Sequence, residues 1–219
     1  IKLFYGSTSM DNIPDFSNGG STNSKLGHSV SAAGDLNGDG YSDFIAGAYG
    51  YNSSTGITYI FYGGAVFPGN VNVTLIGEDT NNNFGYSVSS AGDVNGDGDS
   101  DIIIGAFQYN VSQGKAYIYY GGILMDNSAD VILYSEFSNN YFGYSVSNAG
   151  DANNDGYSDV IVGAPLYNGN GISNAVGKSY IYFRSSSMNN IADIGMTGQT
   201  ITDYNGTSVS GAGDLNGDG

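Results

Sequence analysis

The stretch AGDVNGDGDSDIIIGAF, Ala91 to Phe107, crowds four aspartates between Asp93 and Asp101 and then becomes a run of isoleucines. Like charges this close repel one another, so the crowding calls for a compensating partner. The order is Asp-x-Asn-x-Asp-Gly-x-x-Asp. Side-chain oxygens at positions 1, 3, 5 and 9, with a backbone carbonyl at 7, form the donor set of a hard cation. Glycine at position 6 permits the sharp turn. The same order occurs at Asp35, Asn37, Asp39, Tyr41 and Asp43, at Asp93, Asn95, Asp97, Asp99 and Asp101, and at Asp151, Asn153, Asp155, Tyr157 and Asp159. Tyr41, Asp99 and Tyr157 would supply the position-7 carbonyls. A fourth copy, Asp214, Asn216 and Asp218, stops before positions 7 and 9. The expectation is three complete Ca2+ sites and a fourth incomplete one, with the Asp99 side chain left facing water. Magnesium is the lesser rival, since it demands six short ligands and keeps its waters. An EF-hand needs Glu at position 12 and flanking helices. Position 12 is Ala46, Ile104 and Val162, and the flanks read as strands.

The loop belongs to a repeat. HSVSAAGDLNGDGYSDFIAGAY starts at His28, YSVSSAGDVNGDGDSDIIIGAF at Tyr86, YSVSNAGDANNDGYSDVIVGAP at Tyr144 and TSVSGAGDLNGDG at Thr207. From Asp35 to Asp93 is 58 residues, from Asp93 to Asp151 another 58, and from Asp151 to Asp214 63. Each unit reads as four short strands separated by turn residues. In the second unit these are A (84–92), B (101–106), C (115–122) and D (129–136). Strand B is an apolar run of the kind buried on both faces. No segment of helical length carries a sustained 3.6-residue period. Four antiparallel strands per repeat predict an all-β fold, a β-propeller of about 58-residue blades. IKLFYGS at the start matches strand C (YIFYGG at Tyr59), so the chain reads as a partial propeller of roughly four blades. Residues 1–23 would end one blade, 24–80, 81–138 and 139–203 would be complete blades, and 204–219 would begin another.

Composition narrows the function. The 219 residues carry a formal net charge of −16 with five Lys or Arg. A polyanion repels phosphate backbones and anionic lipid surfaces, which excludes nucleic acid as a partner class. Twelve of the 21 acidic residues lie in the four loops, so the charge is a set of local sites. No cysteine is present, which removes disulfides and thiol catalysis. No apolar run approaches the roughly 18 residues of a membrane helix, so no direct membrane insertion is expected.

These residues resemble the FG-GAP repeat, the unit of the integrin α-subunit propeller and of many secreted microbial proteins. The FG pair is Phe84-Gly85 and Phe142-Gly143, with departures at Leu26-Gly27 and Asn205-Gly206. The GAP triplet is Gly163-Ala164-Pro165, with Gly47-Ala48-Tyr49 and Gly105-Ala106-Phe107 elsewhere. The resemblance implies seven blades in the full protein, calcium loops on the lower face, and an extracellular role, secreted or at the cell surface, in adhesion or ligand binding. It implies a protein or glycan ligand on the opposite, upper face.

By strand order the A–B acidic loops and the C–D loops share the lower face, and the B–C and D–A loops share the upper. The B–C loops repeat Tyr51-Asn52, Tyr109-Asn110 and Tyr167-Asn168. These pairs would either stack on and hydrogen-bond a sugar or peptide, or close each loop onto the next blade, which is the favoured reading. Catalysis finds little support. The lone histidine, His28, occupies the place of Tyr86 and Tyr144, and Glu78 and Glu136 end strand D at matched positions, which the repeat alone explains. No enzyme is expected, although a propeller of this kind attached to a secreted hydrolase or lyase is the alternative. Four Asn-x-Ser/Thr sequons, at Asn52, Asn72, Asn110 and Asn205, are no more than chance provides and are compatible with glycosylation.

Overall fold

The structure is a computed structural model that describes residues 1–4, 6, 11–169, 175–184 and 188–213. Short strands β1 (Lys2–Leu3) and β2 (Phe16–Ser17) form a two-stranded ribbon. Three four-stranded sheets follow. The first holds β3 (Ser29–Gly34), β4 (Asp43–Ala48), β5 (Ile57–Phe61) and β6 (Val73–Ile76). The second holds β7 (Ser87–Gly92), β8 (Asp101–Ala106), β9 (Lys115–Tyr119) and β10 (Val131–Tyr134). The third holds β11 (Ser145–Gly150), β12 (Asp159–Ala164), β13 (Lys178–Tyr182) and β14 (Ile194–Thr197). Every neighbour pairs antiparallel, in chain order. The A strands β3, β7 and β11 pack side by side, so the sheets radiate from them as blades of a partial propeller.

The isoleucine run follows from this arrangement. Successive strand side chains point to opposite faces. Ile102 and Ile104 join Ile45, Ile60 and Leu75 in a core against the first blade, with Phe84, Tyr117 and Tyr119. Ile103 points the other way, into a core with Val160, Val162, Phe142, Tyr180 and Tyr182 of the third blade. Both faces of β8 are therefore apolar because both are interfaces, and β8 and β12 are buried along their whole length. The outer strands differ. β10 alternates buried Val131 and Leu133 with exposed Ile132 and Tyr134, and β14 is exposed throughout.

Strand ends depart from the sequence expectation for physical reasons. Strand A starts at Ser87 and not at residue 84, because Phe84 leaves its own sheet for a parallel bridge with Gly56 of the preceding blade. Strand C ends at Tyr119, where the next two amides are taken by carboxylates: Tyr120 N–H donates to Asp130 and Gly121 N–H to Asp101. A bulge at Ser90/Gly92 lets Gly92, at φ 75°, turn the chain into the acidic loop, and the other two blades repeat it.

Candidate functional site

Within the second acidic loop the polar side chains organise the backbone. Asp93 accepts the N–H groups of Gly96 (2.6 Å) and Gly98 (3.0 Å), Asn95 Oδ1 accepts Asp97 N–H (2.9 Å), and Asp97 Oδ1 accepts Asp99 N–H (2.9 Å). Loops one and three share most of the pattern: Asp35 and Asp151 accept Gly40 and Gly156 N–H, each at 2.7 Å, and Asn37 and Asn153 accept Asp39 and Asp155 N–H. The second oxygen of Asp35 and Asp151 accepts the Asp39 and Asp155 amides, where Asp93 takes Gly96. Positions 1, 3 and 5 are thus on one short turn with oxygen donors only. Among the described residues, no group of three or more Asp, Glu, His or Cys side chains is drawn together as a metal cluster. The carboxylates at positions 1 and 5 bond their own loop. Asp214, Asn216 and Asp218 lie outside the described residues.

Position 9 behaves differently. Asp101 is fully buried, and its two carboxylate oxygens accept Val94 N–H (2.7 Å) and Gly121 N–H (2.8 Å). Asp43 and Asp159 do the same with Leu36 and Gly63, and with Ala152 and Arg184. Each ties the start of the loop to the end of strand C. Burial pushes the Asp101 carboxyl up to about 7, opposed by the two amide bonds and assisted by repulsion from Asp97 and Asp93. Asp43 and Asp159 are pushed up for the same reason.

Sequence reading missed contacts that cross between blades. The position-8 serines donate backbone N–H groups to the position-1 carbonyls of the preceding loop, Ser100 to Asp35 (2.9 Å) and Ser158 to Asp93 (3.1 Å). Asp99, expected to face water, is half-buried and lies over Gly38 of the first loop. Partial burial and repulsion from Asp97, Asp35 and Asp93 hold its carboxyl above the ordinary value. The signal was the recurrence of Ser42, Ser100 and Ser158 at one place in the repeat.

On the opposite face the first two B–C loops wind through consecutive left-handed residues, Asn52, Ser53 and Ser54 in one blade and Asn110, Val111 and Ser112 in the next. This turns successive carbonyls toward the neighbour. Ser53, Ser54 and Thr55 accept the N–H groups of Asn81, Asn83 and Phe84, and Val111, Ser112 and Gln113 accept those of Asn139, Tyr141 and Phe142. Tyr51-Asn52 and Tyr109-Asn110 thus belong to loops that close onto the next blade, while the loop after Tyr167-Asn168 lies partly outside the described residues. Tyr109 lies under Lys115, whose ammonium is 3.8 Å from the ring centroid and 2.8 Å from Glu78 of the preceding blade. Lys178 and Glu136 repeat that pair at 3.3 Å. His28 packs between Tyr49 and Tyr86, at centroid distances of 4.8 and 4.6 Å. A polar cleft of about 500 Å³ opens between 79–82 and 108–112. Asn82, which lines it, is buried with no hydrogen-bond partner for Nδ2. Among the described residues no helix is long and apolar enough to cross a membrane.

Glycines explain the repeat's signature. A Cβ at Gly105 would lie 2.9 Å from the carbonyl carbon of Gly143 and nearer still to its oxygen. Gly47 meets Gly85, and Gly163 meets Gly206, in the same way. The GAP glycine of one blade is the seat for the FG glycine of the next.

The FG-GAP repeat model matches residues 26–61, 84–119 and 142–182. Among curated proteins, integrin alpha-V of Gallus gallus is 32% identical over 208 residues, covering 90% of this chain and 19% of that protein. Integrin alpha-8 of Mus musculus is 33% identical over 175 residues, with 67% and 15% covered, and integrin alpha-5 of Xenopus laevis is 34% identical over 143 residues, with 62% and 13% covered. The chain spans less than a fifth of the length of these relatives. With three blades whose interfaces are built from the signature glycines, the chain belongs to the FG-GAP repeat family, in its integrin alpha-like form.

Proposed function

We propose that this chain is a calcium-stabilised, non-catalytic propeller segment of an extracellular protein, secreted or on the cell surface, that binds a protein or glycan ligand in adhesion. The observation that carries the reading is the threefold, in-register recurrence of a loop of oxygen donors, the first two of which are joined through their backbone to the next blade. Calcium would be held by the side-chain oxygens of Asp35, Asn37, Asp39 and Asp43 with the Tyr41 carbonyl, and by the matching residues of the loops at 93–101 and 151–159. The fourth set, Asp214, Asn216 and Asp218, has the same residue types at positions 1, 3 and 5. Bound calcium supplies neutralising charge. The chain's own residues do the rest: position-1 and position-3 side chains hold the turn, and position 9 anchors it to strand C. The similarity to integrin alpha chains supports the adhesion reading, and the polar cleft beside Asn82 and Tyr109 is the candidate ligand site on the upper face.

Thermal unfolding in chelator, in millimolar calcium and in millimolar magnesium tests the metal. A ligand that binds only the folded state stabilises it by RT ln(1 + [L]/Kd). Extracellular modules bind near 10⁻⁴–10⁻³ M. At tenfold saturation each loop then adds about 1.4 kcal/mol, and three loops raise Tm by roughly 10 °C in a chain this size. An equal Tm in chelator and calcium, with the protein folded in both, removes the metal from the account.

A further inference from the structure

Loops one and two have the same donor types and share the bonds from the position 6, 5 and 7 amides to the position 1, 3 and 5 side chains. They differ only in the amide that the position-1 Oδ1 accepts, Asp39 in one and Gly96 in the other. Yet the next blade lays different charges against them. Over Gly38 of the first loop lies the Asp99 carboxylate, whose Oδ1 is 2.7 Å from where a Cβ would stand. Over Gly96 of the second loop lie the Tyr157 ring and Arg184. The Arg184 guanidinium stacks on Tyr157, with Cζ 3.3 Å from the ring centroid, and donates from Nη2 to the Asn95 carbonyl at 2.6 Å. Asn95 is position 3 of the second loop. Among the described residues Arg184 makes no ion pair, so no carboxylate in contact cancels its charge. The chain has only five Lys or Arg, which makes a cation placed at an acidic loop a marked local feature.

From this geometry we infer that the loops are unequal cation sites and that Arg184, reaching across from the third blade, makes the second loop the weak one. The inference rests on the calcium reading above. Asp99 belongs to the second loop and its carboxylate lies over Gly38 of the first, so its negative charge acts on both. The second loop carries that charge and Arg184 together, and the two offset. The first loop has Asp99 and, among the described residues, no cation against it. A unit charge roughly 8 Å from a divalent ion changes its affinity about fivefold in a water-like dielectric, and salt reduces the effect. The Arg184 side chain also holds loop two to the third blade, so the same contact that joins the blades lowers the affinity.

The test is a calcium titration of the ¹⁵N-labelled chain at low ionic strength. The amides of Gly40 and Gly98, at position 6, report loops one and two separately. In the wild type Gly40 should saturate at about fivefold lower calcium than Gly98. Arg184→Gln should tighten the second loop about fivefold and leave the first unchanged. Arg184→Lys keeps the charge and should leave the second loop weak, which separates charge from lost packing. Asp99→Asn, which retains its carbonyl, should weaken both loops. The gap between Gly40 and Gly98 should shrink in high salt. If the two amides saturate together in the wild type, or Arg184→Gln shifts neither, the tuning is wrong while calcium binding stands. If neither amide responds to calcium, the calcium reading falls and takes this inference with it.

Discussion

Gly105→Ala isolates the contact that defines the repeat. Gly105 has no left-handed φ, so alanine brings no backbone strain of its own. The obstacles are the neighbouring backbone and the Ser87 hydroxyl that bonds it. The new Cβ would lie 2.9 Å from the Gly143 carbonyl carbon and closer to its oxygen. Restoring ordinary contact requires the third blade to move away by about an ångström. Overpacking against unyielding atoms costs about 1–3 kcal/mol. The shift also strains the Ser87 hydroxyl bond to the Gly143 carbonyl, 2.8 Å in length, for about another 1 kcal/mol. A loss near 3 kcal/mol lowers Tm by about 6–12 °C for a chain of this size. The control is Gly19→Ala, where a Cβ meets nothing within 4 Å and φ is also ordinary. Both variants would be unfolded in urea and by calorimetry in the same chelator buffer. Gly19→Ala should stay within about 0.5 kcal/mol of wild type. If Gly105→Ala does too, the glycine seat is not what holds adjacent blades at their spacing.

Further outcomes follow from the loops and turns. In chelator, Asp101→Asn should cost about 2 kcal/mol in urea unfolding, because an amide oxygen replaces only one of the two acceptors that Val94 and Gly121 use. Exposed Asp97→Asn should be neutral in chelator, within about 0.5 kcal/mol, and should lose part of the calcium-dependent rise in Tm. A reversal of these two results would mean that position 9 does not anchor the loop. Val111 is 74% exposed at φ 57°, a conformation that costs a β-branched residue about 1–2 kcal/mol. Val111→Asn should therefore raise stability by about 1 kcal/mol, and a destabilised variant in thermal melts would show that the side chain has a packing role.

The parts of this fold that were legible in the sequence are those whose chemistry is local. The acidic loops announce themselves through Asp93, Asn95, Asp97 and Gly98, and strand B through Ile102–Ile104. The favoured role of Tyr109-Asn110 as loop architecture could be reached from its spacing alone. Less visible were residues whose partner sits one repeat away. Nothing in the aspartate of DGDSD says that its side chain turns toward Gly38, and nothing in Ser100 says that its amide reaches Asp35. The left-handed turn was hidden for another reason: Val111 is a residue that the conformation disfavours. Tertiary contacts from Asn139, Tyr141 and Phe142 hold the turn against that preference.

The interface, more than the blade, is the stabilising unit of this molecule. Each apolar cluster is shared by two sheets: Leu36, Ile45 and Leu75 from one blade meet Ile102 and Ile104 from the next. Phe84 bridges to Gly56, the Gly47 seat receives Gly85, and Lys115 reaches back to Glu78. On the acidic face Ser100 holds the Asp35 carbonyl of the preceding loop. In a repeat array, stability is a sum of unit terms and nearest-neighbour terms, and the observed contacts place much of it in the second kind. A cation that orders the loop at 35–43 therefore orders the surface on which the second blade rests. Its effect should appear in amide exchange as protection spreading into β7 and β8, beyond the loop that binds it. Protection confined to 35–43 would mean that the loops stabilise only themselves, and that the blade contacts through Ser100 and Ser158 are too weak to carry the coupling.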